Sequence, residues 1–219
     1  MVAALAAGSV QAAPLPGFSL TAQTPHFTFY TRDNQKVDSQ KAEAYVTRIE
    51  RLLGQTLEGR ADYYRYTSPE QLAAGTGTYA AGVTFPATNQ IHSTQEFHAH
   101  EIVHLVASRL GNPGLFFQEG LAVALGNDGK WNGQDVHAVA KKAAGRASLS
   151  RLVASFERMD PEVAYPLAGS FVASLIKAHG LAKVASFFRA CSTEKAEVAF
   201  AGTFGQSLDE AGAGWVRSL

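Results

Sequence analysis

Two histidines one helical turn apart constrain this chain more than any other feature of its sequence. The stretch His100-Glu101-Ile102-Val103-His104 has the pattern H-E-x-x-H. Its two x positions are apolar, and so are the residues that directly follow it. In an α-helix, residues i and i+4 lie on one face, so the two imidazoles can reach the same ion while Glu101 stands beside its open coordination position. The pattern therefore predicts a buried helix that carries a zinc site and a general base.

A third protein ligand is needed, because a catalytic zinc ion keeps one of its tetrahedral positions for water. The segment 115–125 is apolar, and Glu119 is its only acid. A carboxylate in such surroundings is costly unless it binds a metal or is otherwise paired. Asn112-Pro113-Gly114 supplies a turn between the two segments. We expect His100, His104 and Glu119 to bind one Zn²⁺ ion; the alternatives are a polar cluster satisfied within itself and a degenerate site that no longer catalyses.

The N-terminal half alternates between strand-like and helical patterns. Alternating runs rich in aromatic and β-branched residues predict strands, and apolar residues at helical spacing predict helices. The predicted strands are His26–Thr31, Asp62–Thr67, Tyr79–Thr84 and Asn89–Ser93, the last two as a hairpin, and the predicted helices are Ser39–Leu53 and a short one opened by Ser68 and Pro69. We expect a small mixed sheet with helices that leads into the metal-bearing helix.

Beyond Gly126 the sequence predicts helices alone, separated by glycine and Asp-Pro breaks. These are Gln134–Ala144, Leu149–Met159, Leu167–His179, Leu181–Cys191 and Ser207–Leu219, the last with a capping box at Ser207–Glu210. The predicted fold class is α+β. Residues 17–219 are expected to form one domain, with an α/β half at 17–126 that holds the metal helices and an all-helical half at 127–219.

Charge and hydropathy argue against two classes of partner. The 19 basic and 19 acidic residues cancel, which does not favour nucleic-acid binding, and no run of about 20 apolar residues predicts membrane insertion. The single cysteine, Cys191, excludes an intramolecular disulfide and is predicted to be a small core residue.

The first residues are typical of an export signal. Residues 1–13 are apolar and alanine-rich and end in a small-residue pattern like a signal cleavage site, although the usual positive start is missing. We expect residues 1–16 to form an arm outside the fold and the protein to be periplasmic or secreted; the alternative is a merely flexible arm.

With these features the chain resembles the gluzincins, the metallopeptidases typified by thermolysin and aminopeptidase N, and especially their small peptidase MA-like relatives. The resemblance covers roughly residues 26–219 and is carried by His100–His104, Glu119–Ala122 and Ala164–Val172. It implies a zincin-like fold, a peptide or protein substrate, His100, His104 and Glu119 as zinc ligands, and Glu101 as the catalytic base.

The resemblance also implies an oxyanion donor in the downstream helical part. Tyr165, before Pro166 at the mouth of an apolar helix, is placed like this donor. The competing interpretation is a core or rim tyrosine whose hydroxyl finds a local partner.

The chain departs from the gluzincin pattern in three places. Only 14 residues separate His104 from Glu119, fewer than in thermolysin or aminopeptidase N. Val123 stands where thermolysin has an acid that orients a histidine, so we expect another group, such as a backbone carbonyl, to support the ligands. The G-x-M-x-N motif of aminopeptidase N is missing, which weakens the case for an exopeptidase. The corresponding strand is expected at residues 80–84, where a peptide could add by β-augmentation.

The other histidines are not expected to bind the ion. His98 lies about 200° around the helix from His100 and should point elsewhere. His92, His137 and His179 are predicted to be surface or capping residues, with His179 near a helix C-terminus.

The functional hypothesis is zinc-dependent peptide hydrolysis, in which the ion polarises the scissile carbonyl and Glu101 transfers the proton. The alternative is a catalytically inactive zinc-binding module that acts as a binding surface.

Overall fold

The computed structural model describes residues 14–145 and 148–219, and its centre is a mixed five-stranded sheet. The strands are β1 (Ser19–Gln23), β2 (Phe27–Thr31), β3 (Ala61–Arg65), β4 (Gly82–Phe85) and β5 (Gln90–Ser93). Their order is β1-β2-β3-β5-β4, with β2, β3 and β5 parallel and the two edge strands antiparallel to their neighbours. The general α+β class, the mixed sheet and the β4–β5 hairpin are confirmed. Strand β1 was not predicted.

Both faces of the sheet are covered. Phe29 and Tyr63 point into the main core with the helices, while Tyr30 and Tyr64 point into a second cluster that includes Leu72. Successive strand residues point to opposite faces, so a strand of a sheet that is covered on both faces is buried at every position. This is why β2 is fully buried along its length.

Helices α1 (Ser39–Leu53) and α2 (Pro69–Thr76) link the parallel strands and begin where the sequence indicates. The Asp38 side chain accepts a hydrogen bond from the Lys41 amide, and the Ser68 side chain accepts one from the Gln71 amide. Gly54 ends α1 in the left-handed conformation, with φ of 60°. Both predicted helices are confirmed.

The two predicted metal-bearing segments are helices α3 (Ala99–Ala107) and α4 (Leu115–Gly126), packed against each other. The turn between them depends on Asn112, whose Oδ1 accepts hydrogen bonds from the Gly114 amide and the Gln118 side chain. Gly114 has φ of 93°, a conformation that favours glycine. The tight reversal expected from Asn-Pro-Gly is confirmed.

The prediction of an all-helical second half is wrong at residues 130–135. These residues form a hairpin of two short strands, β6 (Lys130–Trp131) and β7 (Gln134–Asp135). Asn132 and Gly133 connect them with φ of 47° and 79°, and Asn-Gly is the preferred pair for such a tight turn. The helix predicted from Gln134 therefore begins only at Val136.

The remaining helices follow the predicted order with two corrections. They are α5 (Val136–Ala143), α6 (Leu149–Ser155) with a 3₁₀ turn at Phe156–Arg158, α7 (Pro161–His179), α8 (Leu181–Ala190), α9 (Ala196–Phe204) and α10 (Leu208–Ser218). Helix α9 was not predicted. Helix α7 begins at Pro161 rather than Leu167, because Asp160 caps it and Pro161 occupies its first turn. The capping box at the start of α10 is confirmed.

Glycines allow α4 and α7 to pack closely. A Cβ on Gly120 would lie 2.6 Å from both the Ala168 carbonyl oxygen and Val172 Cγ2. On the facing helix, a Cβ on Gly169 would lie 2.9 Å from Val123 Cβ. The close approach places α7 directly behind the helix that carries Glu119.

The predicted export signal at residues 1–13 lies outside the described residues. Of the predicted arm, Leu15 packs against the second cluster, and the Pro16 carbonyl accepts a hydrogen bond from Arg32. In the described part of the chain, no single helix is long and apolar enough to cross a membrane; α7 and α8 meet both conditions only together, as a pair bent by 114°. Cys191 is buried, as predicted.

Candidate metal centre

Three predicted ligands meet between α3 and α4. The Nε2 atoms of His100 and His104 lie 3.1 Å apart, and Glu119 Oε2 lies 3.0 Å from the first and 3.1 Å from the second. The histidines come together because they are one turn apart on α3, and the turn at Asn112 brings α4 back beside them. Among the described residues, this is the group of His, Cys, Asp and Glu side chains that could hold a metal ion.

With Glu119 ionised, no placement of protons satisfies all three contacts at once. If both imidazoles donate from Nε2 to Glu119, two N–H groups face each other; if either nitrogen loses its proton, its lone pair faces a carboxylate oxygen. A cation bound by all three atoms removes the conflict.

The donor set suits Zn²⁺. Tetrahedral ligands at roughly 2.0–2.2 Å from zinc lie about 3.3–3.6 Å from each other. The triangle formed by His100, His104 and Glu119 has edges of 3.0–3.1 Å, so shifts of a few tenths of an ångström would match it. Two imidazoles and one carboxylate leave one tetrahedral position without a protein ligand.

The charges of these groups are coupled. Burial opposes ionisation of Glu119, but hydrogen bonds from His100 and His104 outweigh it and lower the pKa of its carboxyl group to about 2. Burial also opposes the charge of His104, yet its hydrogen bond with Glu119 and the charges of Glu119 and Glu101 raise its pKa. Glu119 is therefore ionised at neutral pH, as a metal ligand must be.

Glu101, the predicted general base, faces the same cavity as the three ligands. Its side chain is 6% exposed, and its Oε2 accepts a 2.8 Å hydrogen bond from the Thr84 hydroxyl. The cavity has a volume of about 800 Å³ and is bounded by residues 80–84 on one side and by α3, α4 and the β6–β7 hairpin on the others. Strand β4 forms the edge of the sheet beside it.

Tyr165 lies in the cavity wall, but not at the mouth of a helix. It sits in the second turn of α7, and the helix continues through Pro166. Its ring centroid is 6.4 Å from that of His100. Burial and the charges of Glu119 and Glu101 raise its pKa, so the phenol keeps its proton and remains a hydrogen-bond donor.

Trp131 is a cavity residue that sequence reasoning missed. Its ring stacks on Tyr165 with centroids 4.3 Å apart and lies 6.1 Å from the His100 ring. Next to it, Asn132 donates a hydrogen bond to Glu162 and so ties the hairpin to α7. The Asn-Gly pair was the available signal, because it predicts a hairpin that would carry the tryptophan.

The expected support for the ligand histidines is not found at His100. Its Nδ1 is buried and has no hydrogen-bond partner among the described residues, so the prediction of a supporting backbone carbonyl is wrong there. Val123, at the position of the missing acid, is completely buried. The end of α4 packs directly against the His100 backbone: a Cβ on Gly126 would lie 2.7 Å from His100 Cα and 2.8 Å from its amide nitrogen.

His98 lies outside the ligand group. Its Nδ1 is 2.9 Å from Ser93 Oγ, and burial lowers its pKa to about 4. His98 is thus neutral and held against β5.

The predictions for the other histidines have mixed outcomes. His92 is buried and its Nδ1 is hydrogen-bonded to the Tyr66 hydroxyl, so the prediction that His92 lies at the surface is wrong. His137 is exposed and His179 ends α7, as predicted.

Comparison of the chain with models of protein families and with curated protein sequences gave no match.

Proposed function

We propose that this chain is a zinc-dependent metallopeptidase with a zincin-like fold that hydrolyses peptide bonds. The observation that carries the proposal is the triangle of His100, His104 and Glu119, whose mutual contacts no proton arrangement satisfies while Glu119 is ionised. The Glu101 side chain lines the same cavity and lies on α3, the helix that carries His100 and His104. Ligands and base thus occur together, as a hydrolytic zinc site requires.

In this proposal, His100, His104 and Glu119 hold the ion, and Glu101 moves the proton. A bound zinc ion would polarise a substrate carbonyl and make water more acidic. Glu101 accepts a proton from the attacking water and passes it to the leaving amine, which is general acid–base catalysis by one carboxylate. Its burial and its fixed partner on β4 suit this role.

Tyr165 is proposed to donate a hydrogen bond to the oxygen that becomes negative as the peptide carbonyl is attacked. Its raised pKa supports this role, since the donor must remain protonated. Its stacking on Trp131 fixes the ring against the wall of the cavity.

The substrate is proposed to bind as an extended peptide along β4. This strand is the outer edge of the sheet and lies beside the cavity, so its free side can pair with another backbone. A cavity open along a strand edge suits a polypeptide.

The substitution Glu101→Gln tests the proposal. It keeps the size of the side chain and removes its basicity, so zinc content should remain at one ion per chain while peptide cleavage is lost. Glu58→Gln, an equal change at an exposed position, is the matched control and should leave both unchanged. Cleavage of a peptide library at the wild-type rate by Glu101→Gln would refute the mechanism. Tight zinc binding by the wild-type protein without any cleavage would instead indicate an inactive binding module.

A further inference from the structure

The Thr84 hydroxyl contacts the proposed general base twice. Its Oγ1 lies 2.8 Å from the Glu101 carboxylate oxygen Oε2 and 3.0 Å from the Glu101 backbone oxygen. A hydroxyl has one proton to donate, and an ionised carboxylate is a stronger acceptor than a peptide carbonyl. We therefore expect the Thr84 hydroxyl to donate its hydrogen bond mainly to Glu101 Oε2.

The same face of β4 confines Glu101 through a second residue. Gly82 precedes Thr84 by two positions, so both residues point to the α3 side of the strand. Val83, between them, points to the other face and packs against the second cluster. A Cβ on Gly82 would lie 2.9 Å from Glu101 Cγ and would also collide with the His98 ring. The strand thus lies directly against the Glu101 side chain.

Pairing with β5 holds this part of β4 in place. Gly82 is paired with Ser93, and Thr84 with Ile91, in the antiparallel ladder. Ser93 also contacts His98, the residue against which Gly82 packs. The position of the Thr84 hydroxyl is therefore set by the sheet rather than by a mobile loop.

We propose that Thr84 is a positioning residue for the general base: its hydroxyl holds Glu101 Oε2 so that the carboxylate faces the cavity in one orientation. This inference rests on the proposed peptidase function and adds a specific residue to it. A mobile carboxylate side chain would reach the attacking water in only part of its rotamers, so loss of the hydroxyl should reduce turnover more than substrate binding.

Thr84→Val tests the proposal because it keeps the branched shape and removes the hydroxyl, whereas Thr84→Ser keeps the hydroxyl. In the zinc-loaded protein, we expect Thr84→Val to lower kcat about tenfold or more with KM nearly unchanged, and Thr84→Ser to restore most of the loss. Zinc affinity should be the same in all variants. Thr88→Val is the matched control, because its exposed hydroxyl donates to the Phe85 carbonyl and the Gln90 side chain rather than to Glu101.

A readout independent of activity comes from the unfolding equilibrium of the zinc-free protein. Thr84→Val should destabilise the wild-type background more than a Glu101→Met background, in which the carboxylate acceptor is missing; the expected difference is about tenfold in the equilibrium constant.

Two results would overturn the assignment of Thr84: wild-type kcat in Thr84→Val, or equal effects of that substitution on unfolding in both backgrounds. Failure of the wild-type, zinc-loaded protein to cleave any peptide would overturn the proposed function itself, which separates the two claims.

Discussion

Replacing Gly126 by alanine should disturb the proposed metal centre although Gly126 is not one of its proposed ligands. The added Cβ would lie 2.7 Å from His100 Cα and 2.8 Å from its amide nitrogen. Carbon atoms pack at about 3.5–4.0 Å, so α3 and α4 would have to separate by about 1 Å. Because the obstructing atoms belong to the backbone, no side-chain rotation can relieve the contact.

The expected cost has two parts. Overpacking of this kind destabilises a protein by about 1–3 kcal/mol. A separation of about 1 Å also exceeds the tolerance of about 0.2 Å for metal–ligand distances. We therefore expect zinc affinity to fall about 10- to 100-fold, the range found when residues supporting a metal site are altered.

Urea unfolding in the presence of a chelator measures the loss of stability, and competition with a chromophoric chelator measures the loss of zinc affinity. Gly202→Ala is the matched control, since Gly202 lies on helix α9 and the added Cβ would meet no described atom from another part of the structure within 4 Å. It should stabilise the protein by about 0.4–1 kcal/mol and leave zinc affinity unchanged. If Gly126→Ala behaved like Gly202→Ala in both assays, the close contact between α4 and His100 would be refuted.

Two further perturbations test other parts of the account. Tyr165→Phe keeps the stacking on Trp131 and removes one donor, so kcat should fall about 10²–10³-fold with zinc content unchanged; unchanged kcat would remove Tyr165 from the mechanism. Burial lowers the pKa of His92 to about 4 in the folded protein. Between about pH 6.5 and pH 4, this histidine therefore binds a proton in the unfolded chain but not in the folded one. The free energy of unfolding should decrease over that window, by on the order of 3 kcal/mol from this residue, and His92→Gln should flatten the decrease in a pH series of urea unfolding curves.

The clustering of His100, His104 and Glu119 was predictable because it depends on local rules. The i, i+4 spacing on α3 fixes where His100 and His104 point, and a lone acid in an apolar helix implies a partner for Glu119. The Asn-Pro-Gly turn then requires the two helices to be neighbours. Each of these inferences needs only a few consecutive residues, and the distances of 3.0–3.1 Å among the three side chains agree with them.

The elements that were missed gave weaker or competing signals. Strand β1 is largely exposed, and its alternation of polar and apolar residues rests on Leu20 and Ala22 alone. Helix α9 is apolar on most sides, has no side-chain cap, and leaves Val198 60% exposed, so helical periodicity does not reveal it. At α7, Pro166 suggested a helix start, although Asp160 and Pro161 supply the cap and first turn.

The contacts of Thr84, Trp131 and Gly126 could not be predicted from the sequence. Each joins segments that are distant along the chain: β4 to α3, the β6–β7 hairpin to α7, and the end of α4 to the start of α3. Such contacts depend on how whole helices and strands pack, and short patterns do not specify this.

Zinc titration of the metal-free protein shows whether His100, His104 and Glu119 bind an ion together. We expect one tightly bound ion per wild-type chain, with affinity reduced on the order of 100-fold or more when His100, His104 or Glu119 is replaced by alanine. His137→Ala, which removes an exposed histidine outside this group, should bind zinc like the wild-type protein. Wild-type zinc affinity in Glu119→Ala, or no zinc binding by the wild-type chain, would refute the proposed metal site.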